Sequence, residues 1–591
     1  MKKRIIYIFA IVLALILCTA IFVACDEATE ENADGGSADA GGEGAASDSE
    51  SVAPEETLDD SKFNLYFNDK YLCAFVQGDK ATEDEKAVAK ELRLALTKKT
   101  GKQITFITES KVTDEYKYLI VVGETNFEES KKAYKSLDER DAVAKVVGNK
   151  LIIAFGSKGS GLGMVKTLMD SVEANKNGAI RLSHTYKKEY RALPSIDALP
   201  TYNKSATQTI DLGQETVMTY VASATRASFN EYCQSVEAAE FKKIADRTEK
   251  SNVFMTFVGE TEYIYAYFSN YNSSMRIITG PIDQLAMDDY SVKADSPEIS
   301  PYIASIPQPG NGMGYIIRLA DGSFMIFDGG YSGGDRVYST LRQLEPKGEL
   351  VIAAWFISHP HGDHYPAFID FIKAHGNDSK VTIEKVIHNY VHPDMYNIVN
   401  GTAGTENCST DVKKLYTEAE KYIPDVPIIK AHTGQVMTFG ETQVEILYTV
   451  EDMVPTKMEN SNASSMVVRV MMEGHSIMFL ADTYVTSARI LHNMWGNYLN
   501  SDIMQIAHHG QWPSISEIYD DIQGQLVLVP ALKQNYKNDV VDSQWIGVTN
   551  TVMKYAKDLS ISCDKVEKID LPYKIKNNKD TVLNELKTLR G

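Results

Sequence analysis

The chain has 591 residues with 80 acidic and 60 basic side chains, which gives a formal net charge of −20. Its hydrophobic fraction of 43% is typical of a soluble globular protein, and its length predicts two or three domains because a single core does not grow that large. The acidic balance argues against long nucleic acid as an obligatory partner, since phosphate binding depends on Lys and Arg. A local basic cleft remains compatible with this composition.

The first residues indicate export. A basic stretch at 2–4 is followed by an apolar run from Ile5 to Ala24 and then by Cys25. This arrangement predicts a secretory signal at 1–24, and it resembles a bacterial lipoprotein signal in which Cys25 is lipidated. An uncleaved membrane anchor is the alternative, because the apolar run is long enough to span a bilayer. Both readings place the rest of the chain on the extracytoplasmic face of the cell membrane.

Residues 25–60 are rich in Gly, Ala, Ser and acids and contain no aromatic residue. Such a segment cannot bury enough apolar surface to offset the entropy of ordering, so we expect a disordered acidic tether. The cysteines after Cys25 are widely spaced and form no CxxC pair, which predicts buried free thiols rather than a disulfide framework. They are Cys73, Cys233, Cys408 and Cys563.

Residues 61–190 have the pattern of a small α/β accessory domain. Thr82 and Glu85 form a possible capping box, so a helix is expected there. The glycine-rich stretch 159–163 lacks the partners of a nucleotide-binding loop and is predicted to be a tight turn that opens another helix. The unit resembles the small α/β domain that precedes catalytic domains in secreted glycan-active enzymes, which implies an accessory or spacer role.

Residues 191–300 are predicted to form an α+β linker domain. A helix is expected over 229–245, followed by strands 253–258 and 263–268 around a turn at 259–261. Alternating tyrosines on the second strand indicate a half-buried sheet face rather than a sugar-stacking surface.

The most informative motif is Ser-His-Pro-His-Gly-Asp-His at 358–364. It follows the apolar run 351–357, which predicts a buried strand, so the motif lies on a loop at a strand's carboxyl end. His359 and His361 can face one ion, and Asp363 and His364 can face a second. Imidazole and carboxylate ligands suit Zn, and also Mn or Fe. Eleven of the twelve histidines fall between 359 and 509, which indicates a single chemical centre.

The HxHxDH spacing resembles the metallo-β-lactamase-fold hydrolases. Three further segments, one before the motif and two after it, occur in the order found in that family. They are the strand that ends in Asp328, the strand that ends in Asp482 and the segment 503–510, whose strand is followed by His508. The resemblance implies an αββα sandwich over 301–545, in which Asp328 props the histidine loop and Asp482 bridges two metal ions. It also implies that His508 completes the second site, with His509 as the alternative if the register differs by one.

The His-His-Gly turn and the segment 462–470 resemble one branch of that family more closely, the branch with DNA-uptake-channel hydrolase domains and secreted phosphorylcholine esterases. That branch implies phosphodiester hydrolysis, with Asp363 and Asp482 as catalytic carboxylates and an extracellular phosphodiester or cell-wall polymer as the substrate. Most other branches carry a third imidazole near 460, where this chain has none. His432 is the nearest upstream histidine, and it is predicted to be a solvated turn residue.

His388 and His392 are candidates for the lining of the substrate pocket, and residues 546–591 are predicted to be a C-terminal extension. Two function classes stay open. The first is a hydrolase with one or two divalent metal ions, and the second is a non-catalytic surface or glycan-binding protein that retains the fold.

Overall fold

The structure is a computed structural model that describes residues 58–589 except 175–178, 193–199, 203–206, 288, 291–298, 401–403, 512–513 and 543–545. The predicted signal at 1–24, the lipidation residue Cys25 and the tether up to residue 57 lie outside the described residues. Among the described residues, no helix has the length and apolar character needed to cross a membrane. The chain from Ser61 onward is one compact unit.

The accessory α/β unit is built on a six-stranded mixed sheet and a smaller four-stranded sheet. In sheet order, the six strands are Lys187–Arg191, Asp141–Val147, Lys150–Phe155, Tyr118–Val122, Cys73–Gln77 and Phe106–Thr108. The four strands of the smaller sheet are Lys70–Tyr71, Lys62–Phe67, Ile180–Ser183 and Glu173–Ala174. The helices are Glu83–Thr100, Glu128–Tyr134 and Lys158–Ser171.

Of the two local predictions for this unit, the capping box is confirmed and the tight turn is wrong. The predicted capping box is present, since the Thr82 side chain accepts from the Glu85 backbone and the Glu85 side chain accepts from the Thr82 backbone. The predicted tight turn at 159–163 is wrong, because these residues lie inside the helix Lys158–Ser171. A Cβ on Gly161 would lie 2.6 Å from Val88 Cγ2, so this glycine allows close helix packing and does not shape a phosphate loop.

The middle unit is a six-stranded antiparallel sheet with one helix, Arg226–Ala238. In sheet order its strands are Thr207–Gly213, Thr216–Val221, Ser274–Pro281, Glu262–Ser269, Asn252–Val258 and Lys242–Glu249. The predicted hairpin is present, whereas the helix ends at Ala238 and the residues from Lys242 belong to a strand instead.

The tyrosines of this sheet do not lie on a half-exposed face. Tyr263, Tyr265 and Tyr267 are buried, and their hydroxyls bond to groups of the C-terminal unit. The middle unit is therefore packed firmly against the C-terminal unit and is not a loose linker.

The C-terminal unit contains two large sheets. The first, here called the histidine sheet, comprises Ile428–Lys430, Val386–His388, Leu350–Ile357, Phe324–Asp328, Gly314–Arg318, Tyr302–Ser305 and Lys568–Asp570 in order, with Val381–Ile383 also paired to Leu350–Ile357. The second, here called the aspartate sheet, comprises Asp289–Tyr290, Val436–Phe439, Thr442–Tyr448, Val467–Met472, His475–Phe479, Ile503–Gln505, Leu526–Val529 and Asp558–Ile561. A small hairpin joins Asn397–Asn400 to Gly404–Asn407.

Helices accompany these sheets along the chain. They are Arg336–Leu344, Pro366–His375, Ser409–Tyr422, Val485–Trp495, Ser516–Ile522, Lys533–Tyr536, Ile546–Tyr555 and Lys579–Thr588.

The two sheets face each other across an apolar core. The Phe327 ring of the histidine sheet lies 4.1 Å from the Phe479 ring of the aspartate sheet and stacks parallel to it. On the opposite face of the histidine sheet, Trp355 packs edge-on against Phe368 and Phe371 of an outer helix. Helices thus cover the outside of the paired sheets, which confirms the expected αββα sandwich preceded by a small α/β unit.

The expected boundaries of the sandwich need correction. Asp558–Ile561 forms one edge of the aspartate sheet and Lys568–Asp570 forms one edge of the histidine sheet. Residues 546–591 are therefore not an extension, because both sheets are incomplete without them.

Candidate metal centre

Four strand ends bring the predicted site residues together. Phe324–Asp328 and Leu350–Ile357 run parallel in the histidine sheet, and His475–Phe479 and Ile503–Gln505 run parallel in the aspartate sheet. Their carboxyl ends lead to Asp328, to the loop 358–364, to Asp482 and to the turn 507–510. Parallel strands present their carboxyl ends at one edge, so these side chains converge between the two sheets.

Asp328 holds the histidine loop 358–364 in place through hydrogen bonds. Its Oδ1 accepts a hydrogen bond from the Ser358 backbone N–H at 2.8 Å, and its Oδ2 accepts one from Ser358 Oγ at 2.7 Å. The same Oδ2 lies 2.7 Å from His364 Nδ1, which donates to it. Asp328 is 1% exposed and has a left-handed φ of 55°, so the backbone turn aims this carboxylate into the loop.

One group of donors, here called the second group, consists of Asp363, His364, Asp482 and His509. His364 Nε2 lies 3.1 Å from Asp482 Oδ1, and His509 Nε2 lies 3.0 Å from Asp363 Oδ2 and 3.5 Å from Asp482 Oδ1. All of the potential ligand atoms of this group lie within 4.8 Å of one another.

Each imidazole of the second group is held by a hydrogen bond from Nδ1, the ring nitrogen that points away from the group. His364 Nδ1 donates to Asp328, and His509 Nδ1 lies 2.8 Å from the Pro530 carbonyl, to which it donates. These bonds place the hydrogen of each neutral ring on Nδ1 and leave Nε2 with a free lone pair. Outer partners of this kind fix the tautomer and orientation of metal-binding histidines.

A smaller set, here called the first group, consists of His359, His361 and Asp482. His359 Nε2 lies 3.8 Å from Asp482 Oδ2, and the His359 and His361 ring centres are 4.6 Å apart. Asp482 belongs to both groups, and its two oxygens face different ones: Oδ1 the second and Oδ2 the first. This placement is the one that a bridging carboxylate requires.

The electrostatics of the centre are dominated by its carboxylates. Burial opposes a charge on His364, but Asp482, Asp363 and Asp328 outweigh it and raise the pKa of His364 well above its ordinary value. The same competition raises the pKa of His509 to about 9. Burial would raise the pKa of Asp482, yet the surrounding imidazoles hold it well below its ordinary value.

His359 differs from these two imidazoles. Burial, together with the neighbouring rings of His364 and His361, holds the pKa of His359 well below its ordinary value. This ring is therefore neutral in the structure, which is the form that binds a metal ion.

The donors fit a divalent cation. His364 Nε2, His509 Nε2 and Asp482 Oδ1 are buried and make no hydrogen bond although they face one another. Buried polar atoms normally have a partner, and three such atoms around one point lack only a cation. Imidazole nitrogen and carboxylate oxygen suit Zn, Mn or Fe. The second group would hold one such ion, and the first group would hold another.

The structure corrects the expectation for His508. The second group contains His509, and His508 lies instead beside the first group, with Nε2 3.8 Å from Asp482 Oδ2. Both residues have left-handed φ angles, 49° and 58°, so the chain reverses within this turn and the second ring, not the first, reaches Asp363. The structure therefore favours the alternative in which the register differs by one residue and His509 belongs to the second group.

His432 is not a solvated turn residue. It is 0% exposed, its Nδ1 lies 2.9 Å from Glu451 Oε2, and its Nε2 lies 2.7 Å from Tyr263 Oη. It belongs to neither donor group. This histidine therefore holds the middle unit against the sandwich.

The two candidate pocket residues lie apart from the donor groups. His388 pairs with Ile357 across the histidine sheet, but it is buried, and its ring bonds to the Tyr390 backbone and to Tyr416 Oη. His392 lines a cleft of about 610 Å³ between the accessory unit and the rest of the chain, together with Arg140 and Gly213. Neither residue lines the metal centre.

Two contributors to the site were missed at the sequence level. Ser358 links Asp328 to His359 Nδ1, which lies 3.0 Å from its hydroxyl, and the Asn462 side chain lies next to His359. Ser358 belongs to the motif and its position after the strand was a usable signal. Asn462 also had a signal, because it begins segment 462–470 and stands in the region near 460 where most other branches carry the third imidazole.

The predicted buried thiols are present, and no disulfide joins them. Cys73, Cys233, Cys408 and Cys563 are buried. Burial raises the pKa of the Cys563 thiol to about 12, and this thiol donates to the Gly312 carbonyl. It is therefore not a nucleophile, although it lies near Asp363.

No protein-family model matches the chain, and no curated protein sequence matches it. Solved structures that resemble it include CmlA, a diiron β-hydroxylase from Streptomyces venezuelae, at 14% identity over 47% of this chain and 55% of that chain with a TM-score of 0.29. The chain therefore spans about half the length of CmlA.

Two subclass B3 metallo-β-lactamases are also similar. MEM-A1, isolated from a soil metagenome library, is 12% identical over 44% of this chain and 94% of that chain, with a TM-score of 0.23. BJP-1 of Bradyrhizobium japonicum is 13% identical over 36% of this chain and 78% of that chain, with a TM-score of 0.22.

Proposed function

We propose that this chain is a metal-dependent hydrolase of the metallo-β-lactamase fold that cleaves phosphodiesters with an activated water molecule. The observation that carries the proposal is the pair of donor groups that share Asp482. Two ions that share a carboxylate are the arrangement by which two-metal hydrolases hold both the attacking and the leaving oxygen.

The bound ions would lower the pKa of water toward neutrality and neutralise charge on the phosphoryl oxygens. Asp482, at 1% exposure, holds both positions together, and Asp328 keeps His364 in the tautomer that presents Nε2. The Asp363 side chain is 22% exposed, more than the other donors of the second group. It is therefore the carboxylate placed to accept a proton from an incoming water molecule.

The nucleophile in this proposal is water and not a side chain. Ser358 Oγ is bonded to Asp328, and the Cys563 thiol is protonated and bonded to a backbone carbonyl.

The phosphodiester preference rests on the resemblance of the His508–Gly510 turn and of segment 462–470 to the phosphorylcholine-esterase branch. The test is a substrate panel with the metal-loaded full chain: bis(p-nitrophenyl) phosphate, a β-lactam, a lactone and a thioester. We expect hydrolysis of the phosphodiester, loss of that activity in EDTA and recovery with Zn²⁺ or Mn²⁺. Preferential hydrolysis of another class would overturn the substrate assignment, and stable metal binding without hydrolysis of any class would favour a non-catalytic surface or glycan-binding protein.

We also propose that the enzyme is lipid-anchored at Cys25 on the extracytoplasmic face of the bacterial membrane, with a phosphodiester-containing cell-wall polymer as its substrate. The basic residues 2–4, the apolar run and Ala24 before Cys25 support this location. Cys25→Ser should abolish lipid labelling and either release the protein or leave a precursor. Unchanged processing and membrane retention in this variant would indicate a signal anchor instead.

A further inference from the structure

The first group has three donors where the second has four, and a side-chain amide lies beside the first group. Asn462 is 7% exposed and belongs to the short helical turn Ser461–Ser464. Its Oδ1 lies 3.1 Å from His359 Nε2, and its Nδ2 lies 3.3 Å from His508 Nε2. Both of these ring nitrogens are 3.8 Å from Asp482 Oδ2, so the amide and the bridging carboxylate face the same space.

The hydrogen bond at His359 Nδ1 determines whether the hydrogen of this ring lies on Nδ1 or on Nε2. Ser358 has one hydroxyl hydrogen, and its short bond of 2.7 Å to the Asp328 carboxylate uses that hydrogen. Toward His359 Nδ1, at 3.0 Å, the hydroxyl must therefore accept. The hydrogen of this imidazole lies on Nδ1, and Nε2 presents a bare lone pair.

The amide is oriented by its other neighbour. Its nitrogen is directed at His508 Nε2, which leaves its oxygen directed at His359 Nε2. The amide oxygen lies 3.1 Å from His359 Nε2, and with the ring hydrogen on Nδ1 both atoms can bind one cation. Such a cation would also lie near Asp482 Oδ2, which faces the same space.

We propose, on the basis of the function proposed above, that Asn462 Oδ1 is a metal ligand and that it completes the first group together with His359, His361 and Asp482. The resulting set has two nitrogen and two oxygen donors, like the second group, but one oxygen belongs to a neutral amide. A neutral oxygen ligand binds a divalent cation less strongly than a carboxylate, so the first ion is the weaker bound and the more readily exchanged. Its harder oxygen donors also make it tolerant of Mn²⁺.

The test measures metal content and not activity. Asn462→Ala, Asn462→Asp and wild type are purified as the full chain, dialysed against buffered Zn²⁺ or Mn²⁺ and analysed by mass spectrometry for ions per chain. Asn460→Ala is the matched control, because Asn460 caps the same turn through its bond to the Ala463 backbone but faces neither donor group. Circular dichroism shows whether each variant is folded.

We expect two ions per chain in wild type, in Asn460→Ala and in Asn462→Asp, and one in Asn462→Ala. Two ions retained by Asn462→Ala would overturn the assignment of Asn462 while leaving the hydrolase proposal intact. A wild-type chain that binds no metal would overturn both proposals. If Asn462→Ala does not fold, the comparison of Asn462→Asp with Asn460→Ala decides, since loss of an ion only from the aspartate variant contradicts a ligand role.

Discussion

Asp328 is the most revealing residue to change, because it touches no metal in this account and yet controls the second group. Its carboxylate accepts three hydrogen bonds, two from Ser358 and one from His364, and it is 1% exposed. In Asp328→Asn, one oxygen can still accept from the Ser358 backbone. The amide NH₂ then replaces the oxygen that served both the Ser358 hydroxyl and His364 Nδ1.

Two consequences follow from this replacement. Each of the two buried donors left without an acceptor costs about 1–3 kcal/mol, so the apo protein should lose about 2–6 kcal/mol of its free energy of unfolding. Loss of the partner behind a metal-binding imidazole typically lowers metal affinity by about 10- to 100-fold, or about 1.4–2.7 kcal/mol. The affinity at the second group should fall by that amount while both ions can still be loaded at high concentration.

Urea unfolding in EDTA measures the first effect, and competition with a coloured chelator measures the second. Asp321→Asn is the matched control, because Asp321 accepts from the Ser323 backbone and hydroxyl in the same way but lies in a turn outside both donor groups. Unchanged Zn²⁺ affinity in Asp328→Asn, or an equal loss in Asp321→Asn, would refute the reasoning that Asp328 orients His364.

Three further predictions concern histidines. His432→Ala removes the imidazole that pairs with the buried Glu451 carboxylate, so the free energy of unfolding in urea should fall by about 3–5 kcal/mol. The metal content should stay unchanged. His492→Ala, in a half-exposed pair, is the control and should cost less than about 1 kcal/mol. Burial lowers the pKa of His388 to about 3, so below pH of about 6.5 the unfolded chain takes up a proton that the folded chain refuses. Wild type should therefore lose about 1.4 kcal/mol per pH unit from this group between about pH 6.5 and 3, and the same titration of His388→Asn should lack that component. His509→Ala should lose the ion of the second group, whereas His508→Ala should keep it. The reverse result in a metal analysis would show that His508, and not His509, binds the second ion.

The sequence was sufficient where local pattern and chemistry coincide. The apolar run before Ser358 and the apolar strand before Asp482 predict both the strands and the positions of their terminal side chains. The sandwich was implied by the resemblance of these segments to the metallo-β-lactamase-fold hydrolases, and the two sheets do face each other. The donors Asp363, His364 and Asp482 meet where this reasoning places them, and their role in metal binding remains a prediction.

The remainder depends on information that no local pattern contains. Which ring of the His508–His509 pair faces Asp363 is decided by two left-handed backbone angles, and no glycine at these positions signals them. The burial of His432 depends on tyrosines from a different unit. Asn462 lies in the segment 462–470 that the sequence singled out, but its contact with His359 joins two loops far apart in sequence and follows from the fold. The edge strand Lys568–Asp570 is short and polar, so it carried no strand signal.

The most direct test of the central claim is the metal content and phosphodiesterase activity of the purified chain, compared with Asp482→Ala. Asp482 is the one residue common to both donor groups. The account predicts that wild type binds divalent metal and hydrolyses bis(p-nitrophenyl) phosphate, and that Asp482→Ala loses both ions and the activity together. Retention of bound metal and of hydrolysis by folded Asp482→Ala would contradict it.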